Sequence, residues 1–216
     1  QPLPIPKTRR LDEPFNQMDG ETHLAQLSVD HKLGGGWAAH VNASYNRETY
    51  DANQLRITGV NATRGTLTRS NDATHGALST DSYATAYVDG RVELGGMRHD
   101  LQFGWDAEYR KIYRADLLRQ AVARSFSYLN PVYGLEFPSA TVSASDSDQT
   151  DKLHNQSFFF QDSIHLGDRW IAVAALRYQA WSQTAGRGRP FKANTDTDGS
   201  KVLPRLGLVY KWSDNL

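Results

Sequence analysis

The stretch DRWIAVAALRYQAWSQ, Asp168 to Gln183, decides the fold class. From Trp170 every second residue is apolar for five positions: Trp170, Ala172, Ala174, Leu176 and Tyr178. A period of two marks a strand with two unlike faces, because successive side chains leave a pleated backbone on opposite sides. The pattern returns along the chain. Trp37, Ala39, Val41, Ala43 and Tyr45 oppose His40, Asn42, Ser44 and Asn46, and Leu101, Phe103, Trp105, Ala107 and Tyr109 alternate with Gln102, Gly104, Asp106, Glu108 and Arg110. ETHLAQLSVDHK and DSYATAYVDGRVEL carry it too, and HNQSFFFQDSIHL and KVLPRLGLVYKW bring the strands to seven. Apolar spacing of 3.6 does not persist anywhere, so the fold class is all-β.

Composition narrows what such strands can be. The 216 residues hold 24 Lys+Arg against 24 Asp+Glu, so no net field invites nucleic acid. With no cysteine, disulfides and thiolate zinc sites are excluded. Mean hydropathy is −0.60, and the longest apolar run, WIAVAAL, falls well short of the ~18 residues of a spanning helix. A membrane protein built from helices is excluded. A membrane barrel is not, because its alternating strands average to polar. The first residue is Gln1 and the sequence stops at KWSDNL just after a strand-like run, so the expectation is a fragment or a processed piece.

The connections are unequal. LGGG at 33–36, LGGM at 94–97 and LGDR at 166–169 read as tight turns, with SDN at 213–215 starting a fourth. Long joins are expected at roughly 51–80, 116–153 and 183–200. Short and long alternate, which in an antiparallel up-and-down meander puts all short turns at one end. Outer-membrane barrels have this asymmetry. The tryptophans agree: Trp37, Trp170 and Trp212 all fall beside short turns, where an interfacial girdle belongs. Trp181 is eleven residues past Trp170, so it points to the opposite, luminal face. Asp162 on the face of Phe158 and Phe160, and Pro204 inside the last strand, resist the pattern and call for a bulge or a strand end.

These residues then look familiar. Gln161-Asp162, Trp170, Ala175-Leu176-Arg177-Tyr178 and Pro204-Arg205-Leu206-Gly207-Leu208-Val209-Tyr210 resemble, in order and spacing, TonB-dependent ferric-siderophore receptors. YLNPVYG (Tyr128 to Gly134) and the Thr68-Arg69-Ser70 entry add to the resemblance, which is nearest the ferrichrome, or hydroxamate, type. One departure is Ala175, where the family often has Gly. The resemblance implies that residues 1–216 are part of a transmembrane barrel of ~22 strands, in the bacterial outer membrane and in contact with its lipid. It implies import of a ferric siderophore, driven by the TonB system through a plug domain that is not present here. Seven strands cannot close, and open edges in lipid leave backbone groups unpaired. A passive pore or autotransporter barrel shares the architecture, and a soluble all-β ligand-binding module shares the alternation. A plug sequence upstream separates the first from the importer, and solubility without detergent separates the second.

No catalytic or metal constellation stands out. The seven histidines lack ligand spacing. The run Asn194, Asp196, Asp198, Gly199 begins like a calcium loop but meets Arg205 where a bidentate Glu is needed. No nucleophile elbow or phosphate loop occurs, so no enzyme and no cofactor is expected, the iron being carried inside its chelate. Ligand-binding candidates are Tyr113, Phe126, Tyr128, Tyr133 and Trp181. Aromatic rings give flat contact area at little rotamer cost, though they serve equally to pack a loop onto the rim. Arg114, Arg119 and Arg124 are either attractors for an anionic chelate or solvated arginines.

Overall fold

In the computed structural model, which describes residues 5–212, seven long strands run up and down as one antiparallel sheet. They are β1 (Gln17–Gly34), β2 (Trp37–Asn61), β3 (Thr66–Leu94), β4 (Met97–Ala121), β6 (Gln149–Leu166), β7 (Trp170–Arg187) and β8 (Lys192–Tyr210). The two-residue β5 (Phe126–Ser127) pairs only with β3. The order β1-β2-β3-β4-β6-β7-β8 is the order of the chain. All-β and meandering as the alternation requires, the sheet is a strip of barrel wall. Two of its short turns are diglycines, Gly35-Gly36 and Gly95-Gly96. All four residues have positive φ, 61°, 81°, 59° and 76°, which is what a two-residue hairpin turn matched to strand twist demands. The fourth turn read at 213–215 lies outside the described residues.

Register shows why one face is apolar. Val41, Ala86, Trp105, Phe158, Tyr178 and Val202 are successive cross-strand partners, as are Ala39, Val88, Phe103, Phe160, Leu176 and Pro204. Paired residues share a face, so the apolar positions merge into one band. Many of its side chains are exposed, including Val41, Phe103, Phe158, Phe160 and Leu176. From Trp170 to Ala180 the band is eleven residues long on β7, which at ~3.3 Å per residue and a tilt of ~40° gives about 25 Å, the height of a lipid-facing belt. Trp37, Trp170 and Trp212 stand on this face at the short-turn end. Trp170 packs against Tyr210 with the rings tilted and centroids 4.6 Å apart, and Tyr210 meets Trp212 edge-on at 6.0 Å. Gly90 lies beneath the Trp37 ring: a Cβ there would come within 2.1 Å of it.

Two sequence expectations are corrected. The joins read as long at 51–80 and 183–200 are mostly strand, closing in turns at 62–65 and 188–191. Only 122–148 is a true excursion. The strands simply continue past the membrane, where no lipid faces them and the apolar alternation that marks them is lost. Nor does a bulge absorb Asp162, since β4 and β6 stay in register from Arg98↔His165 to Arg114↔Gln149. Asp162 remains on the apolar face and is met there by His99, whose Nδ1 is 2.8 Å from Oδ2, both side chains being mostly shielded. Pairing makes a carboxylate tolerable on such a face. Pro204 likewise meets neither a bulge nor a strand end: it pairs with Leu176 in a stretch of β7–β8 register without a slip, and its local effect is one missing backbone donor.

Among the described residues, the one buried apolar cluster lies beyond the band. Leu67, Phe126 and Tyr128 pack together with Ile5 and Leu11 against them. This hood draws residues 5–16 over the outer end of β3. Glu13 and Arg69 form a fully enclosed ion pair at 3.0 Å, with the Arg69 guanidinium 4.0 Å from the Phe126 ring centroid. The Gly134 N–H donates to the second Glu13 oxygen at 2.7 Å. Such a pair is costly to break, because either partner alone is a stranded buried charge. At the β7–β8 tip, Arg189 clasps Asp148 (2.8 and 3.0 Å) and Asp116 (2.5 Å). The hydrogen bond from Arg189 holds the Asp148 carboxyl below its ordinary value.

Phe103→Arg, in the middle of the band, is expected to cost about 2–4 kcal/mol, whereas Gln102→Arg next to it stays within about 0.5 kcal/mol. Denaturant titration of the full-length protein refolded into vesicles checks this. At the tip, Asp148 has a depressed folded pKa, so its tie is intact above the ordinary carboxylate value of 3.8 and lost as pH falls through the lower folded value. Amide exchange at 188–191 should therefore be flat from neutral pH down to about 4 after correction for the intrinsic rate, then rise in more acid. Arg189→Ala should abolish that step.

Candidate functional site

The face opposite the band is lined by side chains that pair across strands. Arg177 Nη2 donates to Asp106 Oδ1 at 2.8 Å, Gln179 Nε2 to Asn155 Oδ1 at 2.9 Å, Gln183 Nε2 to Asp151 Oδ1 at 3.0 Å, and Arg114 Nη1 to Gln149 Oε1 at 3.1 Å. These bonds step outward along β4, β6 and β7, where alternation turns the even residues of β4 and the odd residues of β6 and β7 to one side. A wall of amides, carboxylates and guanidinium groups facing one way is suited to water or a polar occupant. It is not uniformly polar: His40 stacks on Tyr87 at 4.5 Å, and Tyr87 lies 6.5 Å from Phe159. Asp106, Asn155, Gln179 and Arg177 gave no signal as a group in the sequence, because only the register brings them together.

Of the aromatic candidates, Trp181 stands on this inner face as its spacing requires, in the row of Tyr83, Glu108 and Asn155. Its ring lies across Gly199 of β8, where a Cβ would come within 2.7 Å, so the glycine leaves the indole a flat seat. Phe126 and Tyr128 are instead buried inside the hood, at 4% and 2% exposure. Held by Leu67 and Arg69, they offer no open ring in this arrangement. Tyr133 stays partly exposed at the hood's edge, its hydroxyl donating to Arg10 O at 2.7 Å. Tyr113 shares the outward parity of Tyr109, lying four residues beyond it, and donates to Asp148 Oδ1 at 3.0 Å. That bond, before burial, raises the phenol's pKa. Four of the five candidates are thus part of the rim and hood, and one is on the inner wall.

The arginine candidates divide likewise. Arg119 is taken by Asp72 at 3.0 Å and Arg114 joins the inner ladder, while Arg124 is exposed. The run Asn194 to Gly199 is strand rather than loop, with Asp196 accepting from Thr184 at 3.1 Å. Among the described residues no cluster of carboxylates and imidazoles is arranged to hold a metal ion. Glu13 and Arg69, which organise the hood, had no local signature as a pair, standing 56 residues apart.

Solved structures share this architecture. The receptor BauA from Acinetobacter baumannii, described as a ferric preacinetobactin receptor, superposes with a TM-score of 0.71 at 16% identity, covering 94% of this chain and 30% of its own. Fiu from Escherichia coli K12, a ferric-catecholate import receptor, gives 0.70 at 10% identity in its closed form, covering 94% and 32%. The ferric citrate transporter FecA gives 0.67 at 13%, covering 94% and 27%. The chain therefore spans about a third or less of the length of these structures. At such identities the likeness concerns the fold alone. No curated relative matches the sequence. Residues 3–216 match the family described as "TonB dependent receptor-like, beta-barrel", and the chain belongs to that family of outer-membrane receptor barrels.

Proposed function

We propose that this chain is part of the wall of an outer-membrane importer that takes up a ferric siderophore, powered by the TonB system through a plug domain seated in the barrel. The observation that carries the reading is the back-to-back arrangement of an apolar band and an inner ladder of amides and ion pairs, held in register over β4, β6 and β7. β1 and β8 each pair on one side, and further strands close the wall in a complete barrel of ~22 strands. The His40–Tyr87–Phe159 strip gives a plug surface an apolar contact amid the polar wall. The three structural relatives are described with three different cargoes, so fold does not choose the chelate. Tryptophan and neutral amides (Trp181, Asn155, Gln179) favour a compact, amide-rich hydroxamate of the ferrichrome type. Such a ligand presents mixed apolar and amide surface and encloses the iron itself, which leaves the metal no need of protein ligands.

Radiolabelled iron uptake tests this in a strain lacking its own receptors and expressing the full-length gene. Uptake should be supplied by a hydroxamate chelate, stop when TonB is deleted, and show a roughly tenfold weaker half-saturation in Trp181→Ala. Uptake from citrate or a catecholate but not from a hydroxamate would refute the cargo. Uptake indifferent to TonB would refute the importer.

A further inference from the structure

The longest apolar run of the chain, WIAVAAL, is apolar on both faces of β7, and lipid on one side accounts for only one of them. Trp170, Ala172, Ala174 and Leu176 face outward, while Ile171, Val173 and Ala175 face the interior. β8 repeats the arrangement beside it. Val209 and Gly207 are the inward partners of Ile171 and Val173, and Leu208 and Leu206 point out. Arg205, the partner of Ala175, borders this inner patch, and Leu203 lies beyond it on the same face. Val209 is 49% exposed and Leu203 42%. A strand that reads apolar on both sides is one that is covered on both.

The same rows change character at β6. Ile171 adjoins His165, then Arg98 and Glu93; Val173 adjoins Ser163, then Asp100 and Arg91; Ala175 adjoins Gln161, then Gln102 and Asp89. Charged groups in this sector bond to one another. Arg91 Nε donates to Asp100 Oδ1 at 3.1 Å, Arg98 Nη2 donates to Asp100 Oδ2 at 2.8 Å, and His165 Nε2 lies 2.7 Å from that second oxygen. An open concavity of about 580 Å³ lies against the sector, with Asp89, Gln102, Gln161 and Ser163 in its lining. The inner wall near the short turns is therefore split lengthwise, dry along β7 and β8 and wet along β3, β4 and β6.

Lipid takes the outer face of β7 and β8, so the cover for the inner patch comes from inside the barrel. A barrel of ~22 strands has room for a folded domain, and this chain spans about a third or less of the structures it superposes on. We propose that Ile171, Val173 and Val209 seat the plug of the full-length protein, that the plug keeps this contact during transport, and that the cargo passes between the plug and the charged sector of β3, β4 and β6. Lifting a domain off the charged sector leaves groups already bonded to each other and lets water in. Lifting it off β7 and β8 wets apolar surface, which the hydrophobic effect opposes. The strip of His40, Tyr87 and Phe159 is a single row, a smaller hold than the patch. The inference rests on the reading of a plugged importer, and not on which chelate is carried.

The test puts a photocrosslinking phenylalanine analogue in place of Val173 or of Gln102 in the full-length receptor and follows the crosslink to the plug in cells by mass spectrometry. At rest Val173 should crosslink to the plug. When ferrichrome is supplied to cells that have TonB, the Gln102 crosslink should fall severalfold and the Val173 crosslink should hold; without TonB neither should change. A second readout needs neither cargo nor TonB. Val173→Asp should admit vancomycin, which an intact outer membrane excludes, severalfold faster than wild type, and Gln26→Asp, on the inner face of β1 away from the seat, should not. Heat-modifiable gel migration confirms that both variants are folded, and the crosslinks stand whether or not they are. No plug crosslink from Val173 at rest, equal loss at the two positions, loss at Val173 alone, or loss at neither while ferrichrome enters would each overturn the proposal. So would equal vancomycin entry in the two folded variants. Where ferrichrome does not enter, the cargo reading fails, and the resting crosslink with the vancomycin contrast decides the seat.

Discussion

Hydrocarbon offers no hydrogen-bond partner to a peptide group, and this constraint orders the whole chain. Each backbone N–H and C=O inside the membrane must be satisfied by a neighbouring strand. The register obeys it closely. Bulges, which leave backbone groups unpaired, occur at Lys32/Gly34 beside a short turn and at Tyr50/Ala52, Ile57/Gly59 and Ala185/Gly186 beyond the aromatic rim. Across the apolar band between them, pairing runs without a slip. An unslipped register in turn keeps every odd–even alternation in phase, so that seven separate patterns become one band and one polar wall.

The same constraint inverts the usual location of the core. Large apolar side chains are exposed along the strands, while the buried cluster of Leu67, Phe126 and Tyr128 sits in the water-facing hood. There the hydrophobic effect works as in any soluble domain, and a buried ion pair, Glu13 with Arg69, fixes how residues 5–16 close over β3. Two solvents thus shape one chain. Lipid accepts the apolar residues of the band directly, and water drives those of the loops inward. Asp162 and His99 are the exception that the band carries, a carboxylate kept on the apolar side by a partner on the adjoining strand.

How far the sequence could be read follows from which solvent each stretch meets. Leu101 to Tyr109 and Trp170 to Tyr178 announce themselves because lipid on one side and water on the other impose period two. Residues 46–61 and 66–80 are strand as well, but no lipid faces them: much of 67–73 is covered by the hood and its neighbours, and no alternation marks them. The position of Trp181 followed from counting eleven residues, since no bulge intervenes before Ala185. Phe126 and Tyr128 could not be placed by counting. Their burial depends on residues 5–16 returning across more than a hundred positions, as when Arg9 Nη1 donates to Tyr128 O, and nothing local encodes that.

The central claim is that the face carrying Leu101, Phe103 and Trp105 lies against acyl chains while Gln102, Gly104 and Asp106 face the interior. Spin labels placed singly from residue 100 to residue 108 of the full-length protein in vesicles measure it most directly. Collisions with molecular oxygen, which concentrates in lipid, should peak at the odd positions, and collisions with a water-soluble nickel chelate should not follow that period. A profile without period two, or one peaking at the even positions, would contradict the account.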